Sequence, residues 1–326
     1  MPRTRRESQV DSRRALDRLR ALRPDPDARR ALAVELLGAT DDVELLGAAI
    51  DVLAAQPGSD LRVALHARYE ALDANPKKRD PGGFLRAAII RTLQPVAGAD
   101  DALLFERACE THEATPADVN GPALLRAAGL AALAAVDAPL AALRAAGLIA
   151  RMDLVSPMTG EPAVTAARVL AALGETAALY LYAETTLGGD GPVLGEVIAA
   201  AVRGLGEIPP GLLLGLAERP RARDGMVAAA FVDAVIGHAP DAILSAWLSR
   251  LLRTTPDDDL YAFAITSIVA NRAGQMLPTL FEVARHETAG ARLRILDDSL
   301  AMLGKEPGAV EALAVVRAKL EALKPA

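Results

Sequence analysis

Two His-Glu dipeptides, His112-Glu113 and His286-Glu287, have the side chains closest in type to a metal-binding or acid–base set. A metal site needs imidazole and carboxylate ligands that converge. These pairs lie 174 residues apart, both at expected helix ends, and neither His66 nor His238 is followed by Glu. The competing role is that of helix-terminal histidines, which a helix C-terminal dipole favours when protonated. The acidic run Asp257-Asp258-Asp259 could bind a cation. It lacks the alternating ligands and distal Glu of a calcium loop, so it reads as a helix N-terminus, where carboxylates cap exposed amides. Trp247 could stack on a base or a ring. It sits mid-helix in an apolar run, which points to packing in the core or between repeats.

Other chemistries lack their partners. Cys109 is the only cysteine, so no intrachain disulfide forms and a thiolate zinc site is excluded. Gly188-Gly189-Asp190-Gly191 follows a helix rather than a strand. It is a C-cap and turn, not a phosphate cradle. Ser156 and Thr159 lie in a loop with no neighbouring His or Lys base, so no nucleophile is indicated. No catalytic residue, cofactor or metal is expected. Ten Arg against five acidic residues fall in positions 1–30, leaving the remainder near −11 from a total of −6. That balance opposes a nucleic-acid partner, which needs clustered cations. Leu16, Leu19 and Leu22 interleave the basic segment at helical spacing, so it reads as the solvated face of an amphipathic helix.

These residues must be positioned by helices. Apolar residues make up 52% and aromatics only 3%, so the apolar mass is Ala, Leu and Val. Apolar helical segments beginning at Val193, Met226, Leu260 and Ala291 start 33, 34 and 31 residues apart. Each is followed by a polar break and a second apolar helix, the periodicity of an α-solenoid. Pro, Asp and Gly punctuation predicts helices over Ser8–Leu22, Ala28–Leu37, Asp41–Ala55, Asp60–Leu72, Phe84–Leu93, Asp100–Thr111, Ala123–Val136, Pro139–Arg151 and Pro162–Gly174. A second set covers Thr176–Thr186, Pro192–Leu205, Gly211–Arg219, Asp224–Gly237, Asp241–Arg253, Asp258–Arg272, Met276–His286, Gly290–Leu303 and Gly308–Leu323. Asp41 and Asp60 occupy expected N-cap positions. Residues 1–7 form a basic tail, 8–75 irregular capping helices, and 76–323 one continuous repeat array. The apolar stretch 127–150 contains Asp137, Pro139 and Arg144, so it is two short helices rather than a membrane span. The single cysteine and the absence of an apolar segment behind Met1-Pro2-Arg3 fit a reducing cytoplasm.

Asp80-Pro-Gly-Gly-Phe-Leu-Arg86 places an acid six positions before an Arg in the following helix; Glu161 and Arg168 are spaced one residue looser. With the apolar run 168–174, this pattern resembles the bacterial type of HEAT-repeat family over roughly residues 60–323. Arg126 and Arg203 hold similar places without the acid at that distance. The resemblance implies an all-α, right-handed solenoid of antiparallel helix pairs, about eight units long. For Arg86, Arg126, Arg168 and Arg203 it leaves two roles: a polar ladder along the stack, or a concave face that holds an acidic partner. The implied function is a scaffold that binds another protein, whose identity and own assembly state stay open. The alternative is a HEAT-frame enzyme or enzyme subunit, similar to the bilin lyases or the DNA alkylation-repair glycosylases. The HEAT-repeat deoxyhypusine hydroxylases hold iron with four His-Glu pairs, and only two are present here. The fold hosts many roles, so the residues must decide.

Overall fold

The computed structural model describes residues 5–113, 122–151, 156–189 and 194–324, with side chains from residue 11 onward. The described residues form 19 α-helices and short 3-10 turns, with no strand among them. Most of the expected basic tail, the loop after Glu113, and the turn positions Asp190 and Gly191 lie outside the described residues, as does Val193 at the start of the first repeat segment.

The chain divides into two compact units, Met1–Val169 and Leu170–Ala326. The first holds α1 (Arg5–Ala21), α2 (Pro26–Ala39), α3 (Val43–Ala54), α4 (Arg62–Asp73), α5 (Pro76–Arg79), α6 (Phe84–Leu93), α7 (Ala102–Cys109), α8 (Ala123–Val136) and α9 (Ala138–Ala150). Helix α10 (Ala163–Ala172) runs across the division. The second unit holds α11 (Thr176–Gly188), α12 (Gly195–Arg203), α13 (Pro210–Ala217), α14 (Gly225–Gly237), α15 (Ala242–Thr254), α16 (Asp258–Ala270), α17 (Leu277–His286), α18 (Gly290–Ala301) and α19 (Ala309–Ala322).

All 18 helices expected from the sequence are present, because their ends are chemically marked. Asp25, Asp42, Asp137, Asp241 and Asp257 each accept hydrogen bonds from amides of the turn they open. Pro210 opens α13, where a missing N–H costs nothing. Two expected caps are corrected. Asp42, not Asp41, caps α3 by accepting from the Leu45 amide at 3.0 Å. Asp60 caps nothing: a 3-10 turn over Ser59–Leu61 runs straight into α4, and Asp60 pairs with Arg30 at 2.7 Å. The four-residue α5 lies between the helices expected over Asp60–Leu72 and Phe84–Leu93, and its Pro76-Lys-Lys-Arg79 has no apolar face to announce it.

In the second unit each helix packs on the next but one. One row runs α12, α14, α16, α18 and the other α11, α13, α15, α17, α19. The first row carries the densest core. Val227, Phe231, Val232 and Val235 of α14 are fully buried, as are Tyr261, Ile265 and Ile268 of α16. Each such side chain contributes on the order of 1.5–3 kcal/mol. In the first unit α3, α6 and α8 follow one another in the same way, and α7 lies on α8. The α7–α8 approach depends on Gly129: a Cβ there would sit 2.7 Å from the Cys109 amide nitrogen and 2.8 Å from the Phe105 carbonyl oxygen.

Candidate functional site

Arg86 is the best-defined charged centre. Gly83 precedes its helix with φ +71°, a left-handed conformation that glycine adopts without strain. That turn brings Asp80 back over the start of α6. The Asp80 carboxylate accepts from the Leu85 amide at 2.9 Å, the Arg86 amide at 3.0 Å and Arg86 Nε at 3.1 Å. The acid-to-Arg spacing of six therefore lets one carboxylate cap the helix and grip its third residue. The remaining Arg86 donors reach Asp73 at 2.7 Å and both oxygens of Glu113, at 2.7 and 2.6 Å. Burial pushes the guanidinium pKa down, but Glu113, Asp73 and Asp80 outweigh it and the net direction is up. Arg86 is wholly buried, so its donors fasten the end of α4, the start of α6 and the segment after α7.

The other three Arg residues diverge. Arg126 on α8 is also wholly buried. Arg168 on α10 is exposed and forms no ion pair among the described residues; Glu161 instead accepts from the Thr165 amide. Arg203, exposed in the last turn of α12, bonds Asp233 of α14 at 2.8 Å.

A second set of charges bridges neighbouring helices in the row the sequence did not single out. In the second unit Arg219 pairs with Glu184, Arg250 with Glu218, Arg253 with Glu282 at 2.7 Å, and Arg285 with Glu311 at 3.5 Å. In the first unit Arg107 pairs with Glu70 and Arg144 with Glu106. The partners stand 26 to 38 residues apart, about one helix pair. Recurrence of an Arg every thirty-odd residues was the available signal, hidden because each one alone resembles an ordinary solvated cation.

The histidines do not converge. Glu113 belongs to Arg86. Glu287 accepts from the Thr288 and Ala289 amides at the start of α18. His66 bonds the buried Asp101 at 2.6 Å, and His238 contacts the Ile208 carbonyl oxygen at 2.7 Å. Among the described residues no three His, Cys, Asp or Glu side chains lie close enough to hold a metal ion. Cys109 is buried, and burial pushes its thiol up to about 12, which leaves almost no thiolate nucleophile at neutral pH. Asp257 accepts from the Asp259 and Leu260 amides, the capping role expected of that acidic run. Trp247 is half-buried at the wall of a cleft lined by residues of α13, α14, α15 and α16, so it is not enclosed in the core.

No helix among the described residues is long and apolar enough to cross a membrane. No family model, curated protein or solved structure matches the chain.

Proposed function

We propose that the chain is a HEAT-like right-handed solenoid of about eight antiparallel helix pairs, and that it works in the cytoplasm as a scaffold for another protein. The observation that carries this reading is the next-but-one packing of the second unit, with ion pairs bridging successive helices of a row. A repeated stack presents long rows of helix surface, the form in which such proteins hold extended partners. The chemistry of the buried groups supports the same reading. The buried charges are engaged within the chain, and the sole thiol is shut inside it. An enzyme reading would rest on the Trp247 cleft, where Glu218 and Asp257 also lie. Glu218 is held by Arg250 and Asp257 caps a helix, so neither carboxylate is poised as an acid or base.

The partner surface under this reading is the α12–α14–α16–α18 row, which exposes Arg203 and Arg294. The test is affinity capture by the tagged chain at low and high salt, followed by reconstitution with the purified candidate. Stoichiometric binding weakened by Arg203→Glu with Arg294→Glu supports the scaffold. Failure to reconstitute any captured protein rejects it.

A further inference from the structure

The cleft beside Trp247 has a chemistry that points to one kind of occupant. It encloses about 670 Å³, within the range of ligand pockets at roughly 300–1,000 Å³. Its walls come from the last turn of α13, the 3-10 turn Pro220–Arg223, the first turns of α14 and α16, the latter part of α15 and the residues 255–257 that follow it. Ala217, Ala222, Ala228 and Leu260 form a buried apolar lining, and Trp247 and Leu251 stand above them, half-exposed.

The charged groups on the cleft are unequal. Glu218 is paired with Arg250, and Asp257 is bonded to two amides of α16. Arg223 is exposed and makes no hydrogen bond or ion pair among the described residues. The charge left available is therefore a guanidinium, which favours a carboxylate and can hold it through two N–H donors. Thr254 and Thr255 offer little more. The Thr254 hydroxyl donates to the Arg250 carbonyl oxygen, and the Thr255 hydroxyl accepts from the Asp257 amide.

A small polar metabolite is fixed by several convergent polar groups. One cation over an apolar floor instead matches a peptide that offers an acidic side chain next to an aliphatic or aromatic one. The apolar surface also runs past the cleft. Ile243, 59% exposed, lies one helical turn from Trp247 on the same face of α15. An occupant that covers both is longer than the cleft, as a chain segment is.

We infer that this cleft docks an acidic–apolar peptide segment of a protein partner, with Arg223 on the carboxylate and Trp247 against the apolar side chain. The inference rests on the scaffold reading and adds the partner's chemistry and a contact point to it. Because Trp247 is the only tryptophan, its fluorescence reports occupancy directly.

The probe is an acetylated, amidated Leu-Glu-Glu-Leu-Leu peptide, compared with the same peptide carrying Lys in place of Glu and with 4-methylpentanoate. The expected result is a saturable change in Trp247 emission with the acidic peptide, about tenfold weaker for the Lys peptide and about tenfold weaker in Arg223→Glu. Arg223 is exposed, so its replacement leaves the fold intact, checked by circular dichroism. No saturable change, equal response to both peptides, or indifference to Arg223→Glu overturns the inference. So does 4-methylpentanoate binding as tightly as the peptide, which makes the cleft a small-molecule site. A reconstituted partner that still binds Arg223→Glu at full strength overturns the cleft while leaving the scaffold standing.

Discussion

The two units differ in how much charge they bury. The first buries Asp80, Arg86, Asp101 and Arg126 almost wholly and pairs other charges, such as Arg107 with Glu70, at the surface. The second buries no charged side chain among its described residues, and its ion pairs sit at the surface between neighbouring helices. Surface pairs are worth little, with a median near 0–1 kcal/mol, because water screens them and long side chains lose entropy. Buried charges are costly to strand but specific in geometry. The first unit thus ties particular segments at particular points, as Arg86 does with three carboxylates. The second relies on its apolar interfaces and uses charge to align one helix with the next.

The sharpest way to break this contrast is Arg86→Met, which strands Asp80 and Glu113. It is expected to cost about 3–5 kcal/mol, read as a lower urea midpoint by circular dichroism. A loss below about 1 kcal/mol would place the Asp80–Arg86 grip among the surface pairs. Next comes Gly129→Ala. Its Cβ would press on the backbone of α7, so about 1–3 kcal/mol should be lost, with amide exchange accelerating around Phe105–Cys109. Unchanged exchange there would show that α7 shifts freely.

Asp101→Asn should cost about 1–3 kcal/mol, since the carboxylate also holds Arg62 at 2.8 Å and the Gly98 amide at 2.7 Å. Burial pushes the Asp101 carboxyl up, but the Gly98 amide, His66 and Arg62 outweigh it and hold it below the usual carboxylate value. A folded-state value below the unfolded one gives stability that is present above about pH 4 and lost as pH falls through the folded value. The wild-type urea midpoint should therefore fall more steeply than that of Asp101→Asn in acid; parallel curves would refute the assignment. The smallest effect belongs to Arg250→Ala, at most about 1 kcal/mol and vanishing in high salt. A larger, salt-resistant loss would mean that the second unit depends on its surface charge after all.

Much of the fold was legible because local chemistry marks it. Asp137 and Asp241 announce helix starts by the amides they accept from, and Pro210 does so by the N–H it lacks. The Asp80-to-Arg86 spacing was legible because it is local; that one carboxylate holds both the helix amides and Arg86 Nε was not. Asp73 and Glu113 were not, since they reach Arg86 from 13 and 27 residues away, a closure no local pattern records. Arg86 is occupied within its own chain, and Arg203 bridges α12 to α14 while staying exposed. Trp247 was read as packing residue because a half-apolar helix does not reveal which of its faces borders a cleft.

The depth of Cys109 has a practical corollary. A thiol this buried and held as the neutral acid reacts with a maleimide only when the packing around α7 opens. Its alkylation rate therefore measures the opening of the first unit alone, without mutation or label. Trp247, placed in the second unit, gives an independent optical signal. One protein sample thus carries a separate clock for each half, and comparing the two rates across urea concentrations shows whether the halves melt together or one after the other.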